Sequence, residues 1–152
     1  MRHGQSAANV ARDAALSSGV TGLYVDFEDI RLYGDAVKRV RDQGSARIYL
    51  ATPRIQKSSE AGFFKLIERA EPQGILIRNL GAIAYFRDAG IPITGDFSLN
   101  VANPLTADFL KQTGLERLTI SYDLNIEQVL DLDGFRGVLA YTLPEALWLA
   151  AC

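Results

Sequence analysis

Six short apolar runs recur along the chain, and their spacing limits the possible folds more than any other feature. They begin at intervals of about 17 to 27 residues and occupy positions 22–27, 47–52, 74–78, 91–94, 117–121 and 137–141. The residues between consecutive runs carry the periodicity and the end signals of helices. Strands that alternate with helices in this way lie parallel and are joined by crossovers. The sequence therefore predicts an α/β fold built from βα repeats.

Local signals mark the starts of two of the helices. Asn103 followed by Pro104 combines a polar cap with proline at the first helical position. Asn125 stands three residues before Gln128, which is the spacing of a capping box. These pairs predict helices that begin close to Pro104 and directly after Asn125.

Helices are also predicted at both ends of the chain. Residues 5–18 have apolar positions at helical spacing, and Gly19 is a suitable C-terminal stop. Thr142 with Glu145 resembles another capping box, which predicts a helix through residues 147–149. Because the pattern starts with a helix, a strand that should precede it is expected to be missing.

Parallel βα units close either as a barrel or as an open doubly wound sheet. An eight-stranded barrel typically needs about 250 residues, so six units in 152 residues would form an incomplete one. We expect a single α/β domain, a partial TIM-type barrel of about six strands. Such a partial barrel would expose two strand edges, and exposed edges invite self-association. A homo-oligomer is therefore expected.

Composition excludes several classes of partner and cofactor. The net charge of −2 and the pI near 5.4 argue against electrostatic capture of nucleic acid or of an anionic membrane. No apolar run approaches 18 residues, so no membrane span is predicted. The one cysteine, Cys152, excludes an internal disulfide and fits a cytoplasmic protein. Since His3 is the one histidine, a zinc site lacks its ligands. We expect neither metal nor cofactor.

Polar side chains gather where the predicted strands end, which is where parallel α/β folds bind their ligands. Asp96, Glu28 and Arg54 follow three different strands and are candidate catalytic residues, with either carboxylate as the acid or base. The candidate substrate-binding residues are Asp26, Gln56, Arg78, Asn79, Ser98, Asn100, Ser121 and Asp123. The expected ligand is a peptide or a small polar molecule. The alternative is that amides and hydroxyls cap helices while the charges pair, and capping is favoured for Asn79.

Conventional catalytic sets fit this chain poorly. A Ser-His-Asp or Cys-His arrangement would have to use His3 or Cys152, at the two ends of the sequence. No glycine-rich phosphate loop of the usual spacing is present. A lone cysteine cannot hold an iron–sulfur cluster within one chain.

Four segments resemble the collagenase-like peptidase family. They are YVDFEDI at 24–30, ATPRIQK at 51–57, GILIRNL at 74–80 and GDFSLNVAN at 95–103, and they follow the order and spacing of that family. The similarity extends from about residue 18 to about residue 131. It implies a TIM-type barrel and hydrolysis of peptides. Relatives are also linked to hydroxylation of RNA or of quinone precursors, some of them with a cysteine-bound iron–sulfur cluster.

The similarity to that family changes after the last predicted strand. There the family has a segment that bears His and Cys, whereas this chain continues with residues 142–152. Leu143-Pro144 and Cys152 are similar to the start of that segment, with the cysteine displaced by one residue. Three hypotheses follow: a peptide hydrolase, a truncated and inactive binding or structural fragment, or a hydroxylation accessory protein. The last would need a cluster shared between chains through Cys152.

A second resemblance lies at the N-terminus. RHGQS at 2–6, continued by NVARD at 9–13, is similar to the phosphohistidine motif of histidine phosphatases. That motif requires a preceding strand and a second catalytic histidine. Phosphatase activity is accordingly a remote alternative.

Overall fold

Buried strands and amphipathic helices alternate along the polypeptide. The computed structural model describes residue 17, residues 19–44, 46–60 and 62–132, and the backbone at 138–139 and 146–151. The strands are β1 (Gly22–Phe27), β2 (Arg47–Ala51), β3 (Gly74–Ile77), β4 (Ile93–Gly95), β5 (Arg117–Thr119), β6 (Val138–Leu139) and β7 (Ala146–Ala151). The helices are α1 (Tyr33–Gln43), α2 (Gly62–Arg69), α3 (Leu80–Phe86), α4 (Pro104–Gln112) and α5 (Ile126–Leu132). Short 3-10 helices occupy Ile30–Leu32, Ser58–Glu60 and Phe97–Leu99.

All of these strands pair in parallel in one sheet. Their order is β6-β5-β4-β3-β2-β1-β7 within the part of the chain that the structure describes. The register places Tyr24 of β1 beside Tyr49 of β2, and Tyr49 beside Gly74 of β3. Leu76 of β3 in turn lies beside Thr94 of β4. The predicted α/β class with parallel βα repeats is confirmed, and each of the six predicted strands corresponds to one of β1–β6.

The helices cover one side of the sheet. Alternate strand residues point to opposite sides, and on this side Val25, Leu50 and Ile75 are fully buried in the main apolar cluster. Side chains of all five helices that the structure describes belong to the same cluster, Val37 of α1 and Phe86 of α3 among them. Complete burial of side chains of this size contributes about 1.5–3 kcal/mol each. Helices on a single side are typical of a barrel wall, whereas a doubly wound sheet has them on both sides.

The opposite side of the sheet is concave. Tyr24 and Tyr49 stack there with ring centroids 4.7 Å apart. Burial raises the pKa of Tyr24, while the nearby side chains of Thr94 in β4 and Arg117 in β5 act to lower it. In a flat sheet the third strand along would lie about 14 Å away, beyond the reach of a tyrosine side chain. The sheet must therefore curl toward this side, which we call the concave face.

The last strand corrects one of the predictions. Residues 147–149 were expected in a helix, but they form the middle of β7, which pairs with β1 along its whole length. An apolar run as short as Ala146–Ala151 suits a buried strand as well as a helix, and here pairing with β1 decides between them. Since β7 covers the β1 side, the sheet ends at β6 and β7 within the part of the chain that the structure describes. Self-association stays a prediction.

Capping side chains fix where the helices begin. The Asn103 side-chain oxygen accepts a hydrogen bond from the Thr106 amide at 2.9 Å and caps α4. Asn125 and Gln128 bond to each other's backbone amides, both at 2.9 Å. Both predicted cap signals are confirmed. They position α4 and α5 against the strands that precede them.

The segment before β1 is only partly described. Of the predicted helix at 5–18, residue Ser17 is helical and the remainder lies outside the described residues, as do His3 and the phosphatase-like motif. Gly19 has a φ of 80°, the left-handed conformation suited to a helix stop. None of the helices that the structure describes is long and apolar enough to cross a membrane.

Candidate functional site

A cavity of about 340 Å³ opens beside the carboxyl ends of β1, β2 and β3. Its volume falls in the range of small-molecule binding sites. Its charged lining consists of Asp26, Glu28, Arg54, Glu60 and Arg78. Its apolar lining includes Phe27, Ile30 and Phe63. The cavity therefore presents both signs of charge beside an apolar wall.

Arg78 forms the charged centre of this site. Its Nη1 lies 2.7 Å from Asp26 Oδ2, and its Nε lies 3.5 Å from Asp96 Oδ2. The exposed fraction of the side chain is 7% for Arg78, 0% for Asp96 and 32% for Asp26. One guanidinium thus lies between two carboxylates in a largely dry environment. Ionised groups are buried in this way only when they are paired.

Asp96 lies behind Arg78 and away from the open cavity. Its carboxylate caps the 3-10 helix Phe97–Leu99, and the Ser98 hydroxyl oxygen is 2.8 Å from its Oδ2 and 3.0 Å from the Arg78 carbonyl oxygen. Its Oδ1 is buried without a hydrogen-bond partner. These contacts suit a residue that positions Arg78. The catalytic role predicted for Asp96 stays untested.

Hydrogen bonds between side chains and the backbone hold the ends of β2 and β3 together. The Arg78 amide donates to Thr52 Oγ1 at 2.9 Å. The Asn79 side-chain amide donates to the Pro53 carbonyl at 2.7 Å, and its oxygen accepts from the Ala82 amide at 2.8 Å. Asn79 therefore caps α3 and also anchors the loop that carries Arg54.

Substitution of Asn79 should separate these two roles. Asn79→Ala removes the cap and the bond to Pro53, so we expect a loss of about 2 kcal/mol in the free energy of unfolding. Asn103→Ala, which removes the corresponding cap of α4, should cost about 1 kcal/mol. Urea unfolding of both variants measures the difference. Equal losses would show that the bond to Pro53 contributes nothing.

Tyr33 lines the cavity, and its hydroxyl joins the ends of β1 and β2, a role that sequence reasoning missed. Its hydroxyl donates to the Ala51 carbonyl at 2.8 Å and accepts from the Phe27 amide at 3.4 Å. Burial raises the pKa of Tyr33, which keeps the hydroxyl protonated and able to donate. No motif in the sequence pointed to its bonds with two strands.

The predicted site residues fall into three groups. Asp26, Glu28, Arg54 and Arg78 line the cavity, and Asn79, Asp96 and Ser98 lie directly behind it. The others lie outside the cavity lining: Gln56 beside Gly81, Asn100 exposed at the end of a 3-10 helix, and Ser121 within 3.4 Å of Asp123 after β5. Cys152, considered for a cluster shared between chains, lies outside the described residues.

The described residues include no cluster that could hold a metal ion. No group of three or more His, Cys, Asp or Glu side chains has suitable geometry among them. Two carboxylates that lie close together at the site, those of Asp26 and Asp96, are both engaged by Arg78. The expected absence of metal and cofactor stays a prediction.

Comparison with known proteins identifies a related fold. No family model and no curated protein matches the sequence. A solved U32 peptidase has a TM-score of 0.62 and 10% identity over 80% of this chain and 67% of its own. A mandelate racemase/muconate lactonizing protein from Herpetosiphon aurantiacus has a TM-score of 0.48 and 9% identity over 84% of this chain and 47% of its own. The first likeness supports the resemblance to collagenase-like peptidases at the level of the fold.

Proposed function

We propose that the chain binds a short peptide in the cavity beside β1–β3 and hydrolyses it. The observation that carries this proposal is a single cavity in which Glu28 and Glu60 are accompanied by the guanidinium of Arg54. A peptide carries a positive amine, a negative carboxylate and a polar backbone, so the acidic and the basic side chains of the cavity would each have a group to bind. The fold shared with a U32 peptidase supports the same substrate class.

Two residues of the cavity suit the reaction. The Glu28 carboxylate would take a proton from a water molecule, and the water oxygen would attack the peptide carbonyl carbon. The Arg54 guanidinium would stabilise the negative charge that develops on the carbonyl oxygen. The C–N bond then breaks, and Glu28 returns the proton to the leaving nitrogen. Asp26 suits this role less, because it is bound to Arg78.

A binding module that holds the peptide without cleaving it is the second candidate. The pairing of both Asp26 and Asp96 with Arg78 favours it, because that pairing engages two carboxylates in structure. The bound ligand would then interact mainly with Glu28 and Arg54. The two candidates share the ligand and differ in turnover.

A peptide mixture tests both candidates. Cleavage products would be identified by mass spectrometry, and binding of the intact peptides would be measured by calorimetry. Glu28→Gln should lower the cleavage rate by about 10²- to 10⁴-fold while the peptide still binds. Arg54→Gln should weaken binding by about tenfold through loss of a charged contact.

Surface variants provide matched controls for these substitutions. Glu116→Gln and Arg87→Gln make the same changes at exposed positions outside the cavity lining, and they should behave as wild type. Binding without cleavage would select the binding module. Cleavage that survives both Glu28→Gln and Arg54→Gln would overturn the assignment of residues.

A further inference from the structure

Three side chains form a row that leads away from the cavity. The guanidinium carbon of Arg54 lies 5.0 Å from the centre of the Phe97 ring. The Phe97 and Tyr122 rings meet edge to face, with centroids 5.5 Å apart and planes at 70°. The three residues follow β2, β4 and β5, so the row runs along the carboxyl ends of the strands.

This row is continuous with the cavity through Arg54. The Arg54 side chain lines the cavity and also covers part of the Phe97 ring. Ile55, the next residue, lines the same cavity and is 82% exposed. A ligand that extends beyond Arg54 would therefore meet apolar surface next.

Packing in the apolar core does not explain why residue Tyr122 is aromatic. Its side chain is 73% exposed, so most of its ring surface gains nothing from the apolar core. Beyond its contact with the Phe97 ring, most of the Tyr122 side chain stays open to a ligand. Aromatic rings at the mouth of a polar site commonly bind ligand groups by stacking.

We propose that Phe97 and Tyr122 form a subsite for an aromatic or large apolar side chain of the peptide held in the cavity. This subsite rests on the proposed function, because it requires a peptide in that cavity. Arg54 links the two regions, since a guanidinium over a ring attracts both a carboxylate and a π-system. The preferred substrates are therefore peptides that carry a Phe, Tyr, Trp or Leu beside the residue bound in the cavity.

Pairs of peptides that differ by Phe or Ala at one position test the subsite. Calorimetry should find that the wild-type chain binds the Phe peptide of one pair about tenfold more tightly. Tyr122→Ala should abolish that preference and leave the affinity for the Ala peptide unchanged, whereas Tyr122→Phe should retain it. Since Tyr122 is mostly exposed, the variant should fold with stability close to that of wild type.

The control and the outcomes separate the subsite from the proposed function. Phe109→Ala removes another exposed aromatic, on α4, and should leave the preference intact. Failure of the wild-type chain to bind any peptide would overturn the proposed function and the subsite with it. Binding of peptides without a Phe preference, or a preference that survives Tyr122→Ala, would overturn the subsite alone.

Discussion

Replacing Arg78 with Met should lower the free energy of unfolding by about 3–5 kcal/mol. Met matches the length of the arginine stem but leaves Asp96 fully buried with no opposite charge beside it. An uncompensated buried carboxylate is much less stable than a paired one. Urea unfolding measures the loss, and Asp26 should contribute less to it because its side chain is 32% exposed.

Two further variants identify the buried charge as the cause. Arg78→Met combined with Asp96→Asn should regain more than about 1 kcal/mol, because the amide keeps the helix cap and removes the charge. Arg87→Met, which breaks an exposed ion pair with Asp88, should change stability by less than about 0.5 kcal/mol. A loss below about 1 kcal/mol for Arg78→Met would mean that Asp96 does not depend on Arg78.

Gly74→Ala should destabilise the protein by about 1–3 kcal/mol. A Cβ at this position would lie 2.3 Å from the Tyr49 ring, far inside van der Waals contact. The ring can move aside only by giving up its stack on Tyr24, and such a stack contributes about 0.5–1.5 kcal/mol. Urea or thermal unfolding measures the change.

The chain offers a control of opposite sign for this substitution. Gly34 lies in α1, and a methyl group added there would meet no atom within 4 Å apart from its chain neighbours and the backbone of its own helix. Gly34→Ala should therefore stabilise the protein by about 0.5–1 kcal/mol. In a Tyr49→Ala background, Gly74→Ala should become nearly neutral because the clash is gone. A neutral effect with Tyr49 present would show that the concave face is packed more loosely than the contact implies.

The fold was readable from the sequence because its strands are continuous apolar runs between polar helix caps. Two of the differences between the predicted and the observed strands depend on contacts outside the local sequence. β4 was expected at 91–94 and is Ile93–Gly95. Gly95 continues the strand because it pairs with Ile77 of β3 and Leu118 of β5, and the leucines packed around it leave no room for a side chain. The strand at 146–151 likewise depends on pairing with β1, a partner far away in sequence.

Part of the lining of the cavity could be predicted from the sequence. The rule that parallel strands bind ligands at their carboxyl ends singled out Asp26, Glu28, Arg54 and Arg78, and the structure brings these four residues together at one cavity. Their roles in binding and catalysis stay predictions. That rule does not predict which of the strand ends open onto the same cavity. The burial of Asp96 follows from the curl of the sheet and from the neighbouring positions of Arg78 and Asp96 just beyond the pair Ile77–Gly95. The register between strands and the curvature of the sheet depend on contacts between segments, so no single segment of the sequence predicts them.

The position of β1 between β2 and β7 has a consequence for the order of folding. Tyr24 pairs with Tyr49 on one side and with Trp148 on the other, so the partners are 25 and 124 residues away. Closing the longer loop costs about 1.4 kcal/mol more in chain entropy. The β1–β2 pair is thus the natural early contact of this sheet, and we expect β7 to join β1 after that pair has formed.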